Sequence, residues 1–190
     1  MKLRTLIQVV AVLAVLCSTV VLAQDYGSPA TMQKVKAAAP KGSIMGVVTQ
    51  DTTMALFVKH ANKANLSKAL GGKGPMTVFA ANNDGFNART KEDIDAEHKD
   101  LSVLVSTMKY HVITGKSLTT ADLMAMNGQN LTMDNGMTVP VTVQGDKIMI
   151  GGANIVGTEI AASNGVIHVV DHVLIPGKEM PMTTPLPMGK

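Results

Sequence analysis

The sequence is poor in aromatic residues and almost free of cysteine. Its 190 residues include no tryptophan, two tyrosines, three phenylalanines and one cysteine, Cys17. Cys17 lies in an N-terminal segment that we expect to be removed. The mature chain would then have no disulfide, no thiolate metal ligand and no cysteine nucleophile. Its stability would come from packing, in which methionines, of which the full sequence has 14, can fill irregular spaces.

Residues 1–23 have the pattern of a secretory signal peptide. Lys2 and Arg4 form a basic head, and a long apolar run then leads to a small-residue cleavage site ending at Ala23. We therefore predict a secreted or periplasmic protein that has no membrane span after cleavage. A retained transmembrane anchor is the alternative, but no basic flank follows the apolar run.

The charge of the chain is nearly balanced, which argues against a polyanionic partner. The formal net charge is +3, and removal of the two basic residues of the signal peptide leaves +1. No cluster of lysine and arginine marks a nucleic-acid face, so we predict no nucleic-acid partner.

Signatures of enzymes are also missing from the sequence. It contains no Gly-x-Ser-x-Gly elbow, no phosphate-binding loop that ends in Lys-Ser or Lys-Thr, and no His-Glu-x-x-His motif. We therefore predict no catalytic residue, no cofactor and no enzyme activity.

Helical patterns precede strand patterns along the chain. Ser43, Asp100 and Thr119 or Thr120 are predicted helix caps, and Leu101, Leu104, Val105 and Met108 are predicted to share the apolar side of one helix. Predicted helices cover 43–50, 54–62, 66–70, 101–109 and 119–126, 90–99 is a charged helix or loop, and predicted strands cover 76–80, 110–113, 131–133, 137–143 and 147–150. This order favours an α+β fold or a helix-decorated β-sandwich over alternating βαβ units.

The densest strand pattern lies near the C-terminal end. Two runs rich in Val and Ile, 155–160 and 166–175, flank Asn164 and Gly165, a pair that readily forms a type I′ turn. The second run is apolar on both faces, as a buried strand would be. Pro176 is expected to end it, because proline has no N–H for the strand ladder. We predict that this hairpin is central to one domain.

Composition divides the chain into four segments. After the signal peptide we predict a linker at 24–42, a single domain at 43–176 and a flexible tail at 177–190 that contains proline and methionine. The methionines of the tail are potential Cu(I) ligands, but no cysteine or histidine neighbours them. We therefore predict no metal site there.

Two histidines of the last predicted strand, His168 and His172, are four positions apart. Along an extended strand this spacing separates them by roughly 13 Å, which is too far for one metal ion. We interpret both, and also His111, as side chains satisfied by hydrogen bonds in or beside a sheet.

Three blocks of the sequence resemble the fasciclin domain family. They are 74–86 (GPMTVFAANNDGF), 110–116 (YHVITGK) and 163–176 (SNGVIHVVDHVLIP), in the order that the family has them. The residues of these blocks that match as structural positions are Thr77, Phe79, Asn164, Gly165, His168 and Pro176. The resemblance implies a wedge-like β-sandwich with short helices against one side.

The resemblance also implies a function. It suggests an exported, non-enzymatic module that mediates adhesion or binds a cell-surface or extracellular protein or a polysaccharide. Tyr110, His111 and Asp171 become candidate contact residues, and stabilising the sheet is the alternative role, which we favour for His111. Carriage of an apolar small molecule such as a carotenoid, as in some algal relatives, is a second hypothesis. The sequence identifies neither the partner nor the oligomeric state.

Overall fold

The computed structural model describes residues 42–178, and this part of the chain contains both helices and strands. The helices are α1 (Ile44–Gln50), α2 (Ala55–Lys63), α3 (Ser67–Leu70), α4 (Asn83–Asn87), α5 (Lys91–Lys99), α6 (Leu101–Lys109) and α7 (Thr120–Ala125), with a 3₁₀ turn at Thr52–Met54. The strands are β1 (Met76–Ala81), β2 (Val112–Thr114), β3 (Asn130–Thr132), β4 (Thr138–Gln144), β5 (Lys147–Ile150), β6 (Ala153–Asn154), β7 (Ile160–Ala162) and β8 (Gly165–Val170). This mixture confirms the predicted α+β class. The predicted signal peptide, almost all of the predicted linker and the tail methionines fall outside the described residues.

The strands form two four-stranded sheets. Their orders are β2-β1-β8-β7 and β3-β4-β5-β6. Neighbouring strands run antiparallel except β1 and β8, which are parallel from Met76 opposite Gly165 to Ala81 opposite Val170. β8 therefore lies inside its sheet, as predicted for the last long strand. The parallel partner on its other side was not predicted.

The beginnings of β1 and β8 approach each other so closely that two positions require glycine. A Cβ atom at Gly165 would overlap the carbonyl oxygen of Met76, and one at Gly74 would overlap the carbonyl oxygen of Asn164. The amide of Met76 donates to that same Asn164 carbonyl, at 3.1 Å. Gly165 does not have a positive φ, so glycine is needed here for close backbone contact and not for a left-handed conformation.

The predicted type I′ turn at Asn164-Gly165 is wrong. Ala162 pairs with Gly165, so the loop residues of the β7–β8 hairpin are Ser163 and Asn164. A type I′ turn needs positive φ at both central residues, and Asn65 is the one non-glycine residue between 42 and 178 that has it. The loop adopts another geometry because the side chain of Asn164 is engaged in tertiary hydrogen bonds, which are described below.

The two strands of this hairpin are also shorter than predicted. The first begins at Ile160, and Ile155 instead forms an isolated bridge to Val170. The second ends at Val170, because the next residue, Asp171, leaves the ladder and binds Asn154. Pro176 therefore does not end a strand.

Helix caps follow the sequence rules closely. Ser43, Asp100 and Thr119 cap α1, α6 and α7 as predicted, and Thr119 forms a reciprocal capping box with Asp122. The turn predicted at residues 82–84 is wrong, since Asn82 accepts a hydrogen bond from the amide of Gly85 and so begins α4. An asparagine cluster marks a helix start as well as a turn, because both use the same side-chain acceptor.

The interior is built from both sheets and from one side of the helices. Leu104 and Met108 of α6 are buried as predicted, but Leu101 is 50% exposed because its side of the first turn is not fully covered. All six residues of β1 are buried. Five methionines are at most 5% exposed: Met54, Met76, Met108, Met133 and Met149. These methionines fill the interior, so they no longer argue for carriage of an apolar ligand, which stays an untested prediction.

Candidate functional site

His111 is fully buried at the junction between α6 and the segment after β8. Its Nδ1 donates to the carbonyl of Thr107 at 2.8 Å, and its Nε2 accepts from the amide of Leu174 at 3.0 Å. The ring packs edge-on against Phe57, with 6.2 Å between centroids. Burial lowers the pKa of His111 from 6.5 to about 4. A neutral imidazole with both nitrogens engaged holds two chain segments together.

Tyr110 lies beside His111 but faces a groove. It forms the C-terminal cap of α6, so the strand predicted to begin here starts at Val112 instead. Its hydroxyl donates to the carbonyl of Thr138, at 2.9 Å. This bond holds the phenol ring against the start of β4.

The groove in front of this ring is mainly apolar. We call it the Tyr110 groove; it has a volume of about 270 Å³ and lies between β4 and the chain that follows β8. Its lining residues are Tyr110, Met137, Thr138, Pro140, Leu174 and Ile175, with Gly151, Gly177 and Lys178 around them. Of these residues only Tyr110 is predicted from the sequence as a contact residue, because nothing in the sequence indicates that Met137 and Leu174 share a surface.

Asp171 lies outside the Tyr110 groove. It accepts hydrogen bonds from the amide of Asn154 at 2.8 Å, from the Asn154 side chain at 2.7 Å and from His172 Nδ1 at 2.8 Å. Burial raises the pKa of Asp171, but these hydrogen bonds outweigh burial and hold it below its usual value. The structure thus brings Tyr110 and His111 together, joined through Leu174, and places Asp171 in a separate cluster.

Two signature residues hold the loop that follows β2. The hydroxyl of Thr77 donates to the carbonyl of Lys116 at 3.0 Å and accepts from the amide of Leu118 at 2.8 Å. His168 Nε2 donates to the carbonyl of Leu118 at 2.8 Å. The loop is therefore fixed by side chains from both central strands.

The ring of His168 is itself packed in the sheet. It stacks on Phe79 with 5.6 Å between centroids, and burial lowers its pKa. Its Nδ1 is buried with no hydrogen-bond partner among the described residues. β8 ends before His172, so the extended spacing assumed between these histidines does not hold over the whole interval.

Asn164 joins three segments that are far apart in sequence. Its Oδ1 accepts from the amide of Ile44 at 2.8 Å, and its Nδ2 donates to the carbonyls of Leu70 and Gly72 at 2.9 and 2.8 Å. Pro176 is half-buried in a turn between Ile175 and Lys178. These contacts favour the structural role predicted for the signature residues, which stays a prediction.

Residues 42–178 contain neither a cluster of metal-binding side chains nor a helix able to cross a membrane. No group of three or more histidine, cysteine, aspartate or glutamate side chains in this range is arranged to hold a metal ion. None of the helices in this range has both the length and the apolar character that crossing a membrane requires.

The part of the chain that forms this fold matches a known protein family. The family model named Fasciclin domain matches residues 52–176, close to the predicted domain. The chain belongs to the fasciclin domain family. The fasciclin match contains all three sequence blocks, from Gly74 to Pro176, together with the residues that form the Tyr110 groove up to Ile175.

Individual fasciclin relatives differ in how much of their length is shared. Protein sll1483 of Synechocystis sp. is 33% identical over 138 residues, which are 70% of this chain and 73% of that protein. Immunogenic protein MPB70 of Mycobacterium bovis is 29% identical over 181 residues, 87% of this chain and 90% of that protein.

A solved structure shows the same fold. The FAS1 domain pair from the insect cell adhesion molecule Fasciclin I matches with a TM-score of 0.59 and 20% identity. The match covers 74% of this chain and 53% of the other. At this identity the likeness concerns the fold alone.

Proposed function

We propose that the protein is an exported, non-enzymatic adhesion module that binds an extracellular protein or polysaccharide through the Tyr110 groove. Family membership supports this, since the insect relative of the same fold is a cell adhesion molecule. The pattern of residues 1–23 supports export.

The observation that carries the proposal is the composition of the groove. Met137, Pro140 and Ile175 present apolar side chains at the surface. Tyr110 is only 8% exposed, but it lines the groove with its hydroxyl already bonded to Thr138. A ring fixed before binding loses little conformational freedom when a partner docks. Tyrosine is also enriched among the residues that dominate binding energy at protein interfaces.

The lining of the groove favours recognition over chemistry. It contains no histidine, cysteine, serine or acidic residue, so the common pairing of a serine or cysteine nucleophile with a histidine base is missing there. His111 lies next to Tyr110, but both of its ring nitrogens are bonded to backbone groups. Its role is to hold Tyr110 and Leu174 in place.

A cell-attachment assay with matched variants tests the proposal. Cells of the native organism would be allowed to settle on surfaces coated with the mature chain, with Met137→Glu or with Val103→Glu. Met137 lines the groove and Val103 lies on α6 away from it, and each is 39% exposed. We expect the surface coated with Met137→Glu to hold about 90% fewer cells than the surface coated with the unchanged chain, because the substitution places a charge in the binding patch. The surface coated with Val103→Glu should hold as many cells as the unchanged chain. Equal attachment to all three surfaces, or to none, would overturn the proposal.

A further inference from the structure

A second depression lies where α2, α4 and α5 meet, and it shares no lining residue with the Tyr110 groove. Its volume is about 290 Å³. Leu56, Phe86 and Ile94 supply its apolar surface. The charged or titratable residues that line it are all basic: Lys59, His60, Lys63, Arg89 and His98. We call it the basic depression.

The inner wall of the basic depression is a fixed stack of side chains. His60 stacks on Phe86 with 4.6 Å between ring centroids, and the Arg89 guanidinium lies 5.0 Å from the centre of the same ring. Arg89 donates to His60 Nε2 at 3.3 Å, and His60 Nδ1 donates to the carbonyl of Leu56 at 2.7 Å. Because arginine can only donate, His60 is neutral with its proton on Nδ1. The wall is therefore preorganised.

The carboxylate of Glu97 does not neutralise the rim. Glu97 binds Arg89 at 2.6 Å, and both side chains are 6% exposed. Lys59 and Lys63 are exposed and four residues apart on α2, a spacing at which like charges repel. Neither forms an ion pair within residues 42–178. An anion at this rim would relieve the repulsion.

We propose that the basic depression binds a uronic acid unit of an extracellular polysaccharide. The carboxylate would lie between Lys59 and Lys63, and the C–H face of the sugar would pack against Leu56 and Ile94. Asn87, which also lines the depression, supplies an amide for sugar hydroxyls. A volume near the lower end of small-molecule sites suits a sugar ring better than a helix or a strand. This site goes beyond the proposed groove function and does not depend on it. The nearly balanced net charge argued against a polyanionic partner, but net charge does not reveal a local group of lysines such as Lys59 and Lys63.

Titration with three probes tests the ligand class. Trigalacturonic acid, its methyl ester and triglutamate would each be titrated into the mature chain and followed by calorimetry and by backbone amide NMR shifts. We expect the acid sugar to bind and its affinity to fall as the salt concentration rises, since the lysines are exposed. The neutral ester should bind about tenfold more weakly, as expected for loss of two exposed ion pairs. Triglutamate should also bind more weakly, because it lacks the ring. Equal binding of triglutamate, or no binding of the acid sugar, would overturn the proposal.

Matched double variants test the site. Lys59→Ala/Lys63→Ala and Lys68→Ala/Lys73→Ala each remove two exposed positive charges, but only the first pair lines the depression. The first should weaken trigalacturonate binding about tenfold, and its melting temperature should not fall, because the substitutions remove repulsion on α2. The second should leave the affinity nearly unchanged. An equal loss of affinity in both double variants would show that net charge alone attracts trigalacturonate and would contradict a binding site in the basic depression. Cell attachment through Met137 is measured separately, so either proposal can fail alone.

Discussion

The amide of Leu174 donates a hydrogen bond to Nε2 of His111 at 3.0 Å, across 63 positions of sequence. On the other side of the ring, Nδ1 donates to the carbonyl of Thr107 at 2.8 Å. The imidazole thus ties the end of α6 to the chain that follows β8. Tyr110 and Leu174 both line the Tyr110 groove, so the shape of the groove depends on a histidine that does not line it.

Replacing His111 should therefore destabilise the protein strongly. His111→Ala leaves the buried amide of Leu174 without a partner and opens a cavity beside Phe57. It also removes one of the two hydrogen bonds to the Thr107 carbonyl, which the amide of Tyr110 still binds. We expect the free energy of unfolding to fall by about 3 kcal/mol, measured by urea denaturation. His172→Ala is the control: this side chain is 41% exposed and pairs with Asp171, so its loss should cost less than about 1 kcal/mol. A His111→Ala variant as stable as the control would contradict the role that we assign to His111.

Stability should fall with acidification between pH 6.5 and about pH 4. Burial lowers the pKa of His111 from 6.5 to about 4. In this pH range His111 therefore binds a proton in the unfolded chain but not in the folded chain. The full stability is present above pH 6.5, and the difference in pKa corresponds to a loss of about 3 kcal/mol by pH 4. Burial also lowers the pKa of His60 and of His168, which adds to the same trend.

Urea denaturation at several pH values measures this loss, and NMR titration of the histidine rings assigns it. The ring signals of His111 should not titrate in the folded protein above about pH 5. A midpoint near 6.5 would show that the ring is accessible to protons and would contradict the prediction.

Asn164 should be as important as an apolar core residue. Its side chain satisfies the amide of Ile44 and the carbonyls of Leu70 and Gly72. Asn164→Ala removes all three hydrogen bonds in a buried site, and we expect a loss of about 3 kcal/mol. Asn130→Ala, at an exposed position in β3, should change stability by less than about 0.5 kcal/mol. Similar melting temperatures for both variants would be evidence against this role.

The buried ion pair beneath the basic depression provides a fourth prediction. Glu97→Gln leaves the Arg89 charge, which is 6% exposed, without its carboxylate. We expect a loss of about 3 kcal/mol in chemical denaturation. Glu92→Gln makes the same substitution at an exposed position of α5 and should change stability by less than about 0.5 kcal/mol. If the two variants were equally stable, the pair would contribute nothing to folding.

Local signals in the sequence predicted local structure well. The caps Ser43, Asp100 and Thr119 begin helices where the sequence rules place them. The predicted strand at 76–80 appears as β1 with one additional residue. The caps depend on side chains that accept from backbone amides two or three residues away, so a short window of sequence contains the relevant information.

Features that depend on distant partners were missed. The parallel pairing of β1 with β8 joins residues about ninety positions apart, and no pattern within either strand indicates its partner. Asn164 followed by Gly165 satisfies the local rule for a type I′ turn, but hydrogen bonds to Ile44, Leu70 and Gly72 give it another geometry. The free energy of three buried hydrogen bonds outweighs the local preference of the Asn-Gly pair for a type I′ turn.

The same contrast between local features and features that depend on distant residues applies to the candidate sites. The sequence alone was sufficient to assign the α+β class, the resemblance to the fasciclin family and the pattern of export, because these depend on composition and on motifs within short blocks. It did not show that Met137 shares a groove with Tyr110, or that Lys59 and Lys63 border a depression in which Arg89 is already bound by Glu97. A binding surface is made by residues from separate segments, and their distances are set by how the helices and sheets pack together.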